Sequence, residues 1–203
     1  MIAVADLAIA AREFEAQYGL ASIEGGRHLG WGTANRIVPL GGAYLELIAL
    51  VDRAEAEQTR FGRWVAAARP RHIRPLGWAV RTDHVDEVAE RLGLPVQPGS
   101  RARPGGTVVG WRLAGLERAA AEPSLPFFIE WEEDTPLPGR SSVTHPGGPF
   151  QIERLRLEGN PDRLADWLGS HRLPIEVRPG PPAVENVVLT GEAGGIVIAA
   201  DPL

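Results

Sequence analysis

Residues 25–50 read GGRHLGWGTANRIVPLGGAYLELIAL. The segment opens glycine-rich and carries His28, the only histidine among the first seventy residues. Two strand-like pieces follow, Thr33–Leu40 and Ala43–Leu50, joined at Gly41-Gly42. In the second piece Glu46 stands alone among apolar residues. Side chains alternate along a strand, so Tyr44, Glu46 and Ile48 share one face and Leu45, Leu47 and Ala49 the other. If Leu45 and Leu47 pack under a helix, Glu46 points out of the opposite face. There it is either a carboxylate on the wet side of an antiparallel sheet or a ligand or general base in a concave site.

Outward from this segment the chain has a rhythm. Ile2–Ala5 reads as a strand. Asp6 is placed to cap a helix over Asp6–Tyr18, with Leu7, Ala10, Ala11, Phe14 and Tyr18 at helical spacing and Gly19 as its stop. A short strand near Ala21–Ile23 precedes the glycine-rich segment. The order is strand, helix, strand, strand, strand. Ala54–Ala68 reads as a helix with Phe61, Trp64 and Val65 inward, and Pro70 and Pro75 punctuate a connector.

The rhythm then returns. LGWAV from Leu76 is a strand, Asp83 starts a helix, and Gly93 ends it. Gly25-x-Arg27 with Gly32-Thr33 matches Gly99-x-Arg101 with Gly106-Thr107, and Glu46 in YLELI matches Glu130 in FFIEW. The copies differ mainly by an insertion, Leu116–Leu125, before the second acidic strand. Such internal similarity marks a duplicated unit. After a Pro/Gly/Ser-rich linker, Thr135–Pro149, a degenerate third copy follows: strand Gln151–Leu157, helix Pro161–Leu168, and strands Ile175–Val177, Val184–Leu189 and Gly195–Ala199. It lacks the arginine, the Gly-Thr pair and the acidic strand, and reads as structural.

The expected architecture is α+β. A pair of βαβββ units occupies residues 1–134 (1–50 and 75–134, with a helical connector at 51–74). A third βαβββ-like unit at 150–203 packs on the same domain. Curved mixed sheets would enclose a cup-shaped pocket.

Composition narrows the function classes. The 203 residues are 44% hydrophobic and 23% charged, with a formal net charge of -5. That balance suits a soluble globular protein and lacks the positive field of a nucleic-acid binder. Lysine is absent, and with abundant Ala, Gly and Pro this reflects a GC-rich coding bias. Cysteine is absent too, which removes disulfides, thiolate metal sites and a cysteine nucleophile. No apolar run is long enough to span a bilayer, and the N-terminal stretch does not read as a signal peptide. The expectation is a cytoplasmic protein with a small-molecule ligand and neither nucleic acid nor membrane as partner. A homodimer stays open.

The tandem units and the segment GGRHLGWGTAN…LGGAYLELIAL resemble the vicinal-oxygen-chelate superfamily, in its glyoxalase-like branch. The superfamily includes glyoxalases, extradiol dioxygenases and fosfomycin- or bleomycin-resistance proteins. The resemblance implies that paired units make a cup holding a divalent metal (Zn, Ni, Fe or Mn), bound from the first and last strand of each unit. Glu46 and Glu130 would hold the two last-strand positions. The first-strand positions depart from the pattern. The Asp-His pair of the branch would fall before Met1, and Leu76 stands at the matching place in the second unit. Either the sequence starts downstream of its true beginning, or metal binding has been lost.

Several residues are candidates for chemistry. Glu46, Glu130 and His28 are the catalytic candidates, with Glu46 and Glu130 also the metal candidates. His28, on a segment where backbone can approach a ligand closely, suits an acid, a base or a donor to a carbonyl, or simply a loop histidine bonded to backbone. Arg27 and Arg101 carry forks suited to carboxylate or phosphate; the alternative is structural pairing with a glutamate or a loop carbonyl. Trp31 and Trp111 are core or cup-lining aromatics. Asn35 could orient a substrate or His28, or stabilise a turn. His72, His84, His145 and His171 read as connector or helix-start residues. The glycines lack the Lys-Ser/Thr of a phosphate loop, and no serine sits in a G-x-S-x-G elbow. The leading expectation is a glyoxalase- or dioxygenase-type enzyme, lyase or isomerase, acting on a carbonyl- or enediol-bearing substrate. The competing one is a metal-free protein that sequesters a small molecule.

Overall fold

The computed structural model describes residues 1–68, 70–71, 73–192 and 194–200; His72 lies outside them. The first unit is β1 (Ile2–Val4), α1 (Leu7–Tyr18), β2 (Ile23–His28), β3 (Thr33–Leu40) and β4 (Ala43–Leu50). The Asp6 side chain accepts from the Ile9 amide, and Gly19 closes α1 in the left-handed region. Both are the caps expected of these residue types.

The connector holds two helices, α2 (Arg53–Ala56) and α3 (Arg60–Ala68), where the sequence suggested one. Thr59 breaks the run by accepting from the Gly62 amide, a second helix start. Phe61, Trp64 and Val65 face inward as the periodicity required. A short strand, β5 (Ile73–Pro75), follows and pairs antiparallel with β1.

The second unit is β6 (Ala79–Arg81), α4 (Val85–Leu92), β7 (Val96–Ala102), β8 (Val108–Ala114), α5 (Leu116–Ala121) and β9 (Phe127–Trp131). The insertion is α5. Asp83 does not cap α4. The cap position is His84, whose side chain makes no capping bond to a helix amide, and Glu130 of β9 accepts from the Val85 amide instead.

Both units share one nine-stranded sheet, ordered β5-β1-β4-β3-β2-β7-β8-β9-β6. The seam is the antiparallel pair β2–β7, with Arg27 opposite Ala102 and His28 opposite Arg101. The glycine-rich segment is therefore part of a strand. Glycine suits it because neighbours press on both its residues: a Cβ on Gly25 would strike the Asn35 amide, and one on Gly26 the Ala102 carbonyl.

The last unit is β10 (Phe150–Gly159), α6 (Pro161–Leu168), β11 (Ile175–Pro179), β12 (Ala183–Gly191) and β13 (Gly194–Ala199). Its element order is that of the first unit, and of the second without α5, but its sheet runs β11-β10-β12-β13. In the first two units the opening strand pairs with the last strand. In the third it pairs parallel with the strand after the helix.

This small sheet bridges the two edges of the large one. Phe150, Val187, Leu189 and Ile198 join the core under α1 with Ile2, Val4, Phe14 and Leu47. Leu157, Leu164 and Trp167 join Trp78, Leu125 and Phe128 at the other edge. No helix among the described residues is long and apolar enough to cross a membrane.

Candidate functional site

Directly paired residues project from the same face of a sheet, so strand register decides which side chains enter the cup. His28 is opposite Thr33, and Gly26 opposite Asn35. Asn35 is opposite Ile48, and Ile37 opposite Glu46. Across the seam His28 is opposite Arg101. In the second unit Gly99 is opposite Trp111, Trp111 opposite Trp131, and Leu113 opposite Ile129. His28, Thr33, Asn35, Glu46, Arg101, Trp111, Ile129 and Trp131 therefore share the concave face. Leu45, Leu47 and Ala49 pack on the other face in the core with α1, which is the condition the alternation set for Glu46.

A cavity of about 830 Å³ fills the cup. Its polar floor is His28, Asn35, Glu46 and Arg101, and its walls include Trp31, Phe61, Trp111, Phe127 and Trp131. The third unit contributes Ile152, Leu155, Ile175, Val184 and Val187 to the lining. Read as structural from sequence, that unit also forms a wall of the site.

Two of the expected site residues lie elsewhere. Glu130 is opposite Arg112 and on the outer face. There it accepts from the Val85 amide at 2.8 Å and from Arg112 at 3.0 Å, contacts that hold its carboxyl below the usual carboxylate range. Matching FFIEW to YLELI glutamate on glutamate shifts the frame by one residue, and a one-residue slip exchanges the faces of a strand. Phe127, Ile129 and Trp131 take the cup-facing positions instead. The same slip misplaced Arg27. It faces outward, is 49% exposed in its side chain, and pairs with Glu55 at 2.6 Å and Asp52 at 3.4 Å. Arg101 is the counterpart across the seam of His28 rather than of Arg27.

Asn35 organises the floor. A guanidinium can only donate, so the Arg101 bond at 3.2 Å fixes Oδ1 as the Asn35 atom facing it. Nδ2 then faces the other two groups, donating to Glu46 Oε1 at 2.5 Å and to His28 Nε2 at 3.2 Å. With Nε2 accepting, the His28 proton sits on Nδ1 and goes to Thr33 Oγ1 at 2.8 Å. This neutral tautomer agrees with the electrostatics. Burial, with a smaller contribution from Arg101, overcomes the attraction of Glu46 and lowers the His28 pKa to about 4. Both ring nitrogens are thus engaged by protein, and His28 orients Asn35 rather than meeting a ligand through a free nitrogen. Thr33, which the sequence did not single out as a site residue, completes the set.

The aromatics form a continuous wall. Trp31 and Phe61 ring centroids are 4.7 Å apart, His28 lies 5.9 Å from Trp111, and Trp111 lies 5.3 Å from Trp131. The Arg101 guanidinium carbon sits 5.9 Å from the centre of the Trp131 ring, within reach of a cation–π attraction. Trp131, Phe127 and Phe61 were legible as apolar positions. What would have placed the first two in the cup is alternation counted from Trp111.

The donor set does not fit a resident divalent metal. Such sites take at least three side-chain ligands, and among the described residues no three His, Cys, Asp or Glu gather to hold one. Glu46 and His28 approach to 3.6 Å, but the Nε2 lone pair of His28 is taken by Asn35, and Glu130 is on the far side of the sheet. The cup-facing residues of β6 are Ala79 and Arg81, which pair with Phe127 and Ile129. Leu76 lies before that strand, in the core.

His84, His145 and His171 lie outside the floor. His84 pairs with Glu87 on the surface. His145 accepts from the Ala21 amide and donates to the Pro39 carbonyl, pinning the linker to the first unit. His171 accepts from the Leu173 amide in an exposed turn.

No curated protein matches the chain in sequence. Among solved structures, a hypothetical protein from Staphylococcus aureus shares the fold, with a TM-score of 0.66 and 14% identity over 94% of this chain and 89% of that one. Methylmalonyl-CoA epimerase from Mycobacterium tuberculosis aligns over 66% of this chain and 85% of its own, with a TM-score of 0.44 and 17% identity. The model of the glyoxalase-like domain matches residues 1–172, and the chain belongs to that family.

Proposed function

We propose that the protein is a small-molecule enzyme of the glyoxalase-like type that moves a proton on a carbonyl-bearing substrate, with Glu46 as the base. The observation that carries this reading is the bond from Asn35 to Glu46 Oε1 on the floor of the aromatic cavity. It holds one carboxylate oxygen and leaves Oε2 without a protein donor among the described residues. Oε2 takes the proton from the carbon next to the carbonyl. The C–H electron pair forms the new C=C bond, and the carbonyl π pair moves onto oxygen. Returned from Glu46 to the same carbon on its other face, the proton completes an epimerisation; on a 2-hydroxyketone it returns instead to the former carbonyl carbon, while the neighbouring hydroxyl becomes the new carbonyl and its proton passes to the oxyanion, which completes an isomerisation. The buried cation of Arg101 offsets the negative charge that develops. Asn35 and neutral His28 position the base. The setting is a soluble protein of the cytoplasm with no nucleic-acid partner.

Exchange of the proton for solvent deuterium, followed by NMR on a panel of aryl-substituted 2-hydroxyketones and 2-oxo acids, tests this. A positioned base contributes about 10²–10⁴-fold, and Glu46→Gln should lose that factor. Undiminished exchange in this variant sinks the reading.

A second reading is a binding protein that sequesters the same ligand. It is favoured by the donor set, which lacks the metal ligands implied by the resemblance. Tight binding with no exchange in the wild-type protein would establish it instead.

A further inference from the structure

Arg101 is a buried cation with no ion pair among the described residues. It is 6% exposed, and its one side-chain hydrogen bond among the described residues goes to a neutral amide oxygen, Asn35 Oδ1. Its Nε is buried without a partner. The nearest acid of the floor, Glu46, is held off by Asn35, whose amide stands between the two. Buried charges are ordinarily paired, because desolvating an unpaired one is costly. Among the described residues, the arginines that are ion-paired meet their carboxylates at the surface. Arg101 instead faces the cavity, with Trp131 beside the guanidinium.

We propose that Arg101 is a carboxylate anchor, and that the cup takes an aryl or alkyl carboxylate whose apolar body lies along Trp111, Trp131 and Phe127. A carboxylate supplies the missing counter-charge and matches the planar fork of the guanidinium. The apolar walls match the body of such a ligand, and the cavity of about 830 Å³ falls in the range of small-molecule sites. The inference rests on the proposed function only for where the ligand lies. A carboxylate on Arg101 brings the neighbouring carbon toward Glu46 on the same floor. The substrate class narrows to carboxylates bearing the reacting carbonyl, such as 2-oxo acids.

Calorimetric titration of the full chain with 3-phenylpropionate and 4-phenylbutyrate, each against its primary amide, tests this directly. The acids should bind at least tenfold more tightly than the amides. The preference should disappear in Arg101→Met, which keeps the stem and removes the charge, and weaken in Arg101→Lys, which keeps the charge and removes the fork. Glu46→Gln separates this inference from the proposed reaction: it should retain the preference for the acid while losing proton exchange. Equal affinity for acid and amide in the wild-type protein overturns the anchor without need of any variant. So does a preference that survives Arg101→Met, or no binding of either acid at millimolar concentration.

Discussion

Arg101 stands directly across the β2–β7 seam from His28, and Asn35 hydrogen-bonds to both. The floor of the cup is thus built from both units at once. Asn35 is the member whose removal disturbs most. Asn35→Ala strips a donor from Glu46 and from His28 Nε2 and an acceptor from Arg101. Leaving a buried polar group unsatisfied costs about 1–3 kcal/mol, so chemical denaturation should show a loss of that order at least. Ligand binding should weaken as well, because the base and the cation lose the spacer between them. Asn35→Asp should behave differently. It keeps the acceptor for Arg101 and removes the donors, placing a second acid beside Glu46. A variant as stable as wild type with unchanged binding would refute this role for Asn35.

The histidine gives a pH dependence with a defined sign. The His28 pKa falls from an ordinary 6.5 to about 4 through burial. Between those values the unfolded chain binds a proton that the folded chain does not. Stability from this group is therefore complete above pH 6.5 and is lost as the pH drops toward 4, at up to about 1.4 kcal/mol per pH unit. Urea melts at pH 7 and pH 5 should show the loss, and His28→Gln should reduce it. Equal pH dependence in the two proteins would mean that His28 is not the buried neutral group described here.

The sequence made the units, the caps and the face of Glu46 legible, because each rests on local rules: alternation, helical spacing, a short acceptor before a helix. The second half of the site was not legible in the same way. Aligning the copies on their glutamates required one frame, while the pleat of β9 required another, set by pairing with β8 over Trp111 and Trp131. An acid in FFIEW looked like a match to Glu46 because the eye aligns like with like. Its place is explained instead by the amide of Val85, which needs an acceptor at the start of α4. The lining from the third unit depends on how one sheet docks on another, and no local pattern in Ile152 or Leu155 announces it.

Gly25 makes the sharpest packing prediction. A Cβ there would meet Asn35 Oδ1 and Arg101 Nη1, the two atoms that bond across the seam. Gly25→Ala should therefore separate Arg101 from Asn35. Overpacking of this kind costs typically about 1–3 kcal/mol. Binding of 3-phenylpropionate should weaken in step. Gly30→Ala is the control, since a Cβ there meets open space, although its φ of +74° adds some backbone strain. If Gly25→Ala costs no more stability than Gly30→Ala and binds equally well, the close approach at the seam is not what demands glycine.

The two glutamates that look alike in the sequence should part company in experiment. Glu130 works on the outer face, accepting from the first amide of α4 and from Arg112. Glu130→Gln should cost stability of the order of a lost helix cap, about 0.5–2 kcal/mol. It should leave binding in the cup untouched, because no atom of Glu130 lines the cavity. Glu46→Gln should act on the chemistry instead. It keeps the shape of the floor, costs little stability, and removes the base. Metal analysis adds an independent reading. With Glu130 absent from the cup and Asn35 on the His28 lone pair, the purified protein should hold less than one equivalent of Zn, Ni, Fe or Mn. Stoichiometric metal that is lost in Glu46→Gln would show that the floor rearranges to recruit ligands this geometry keeps apart.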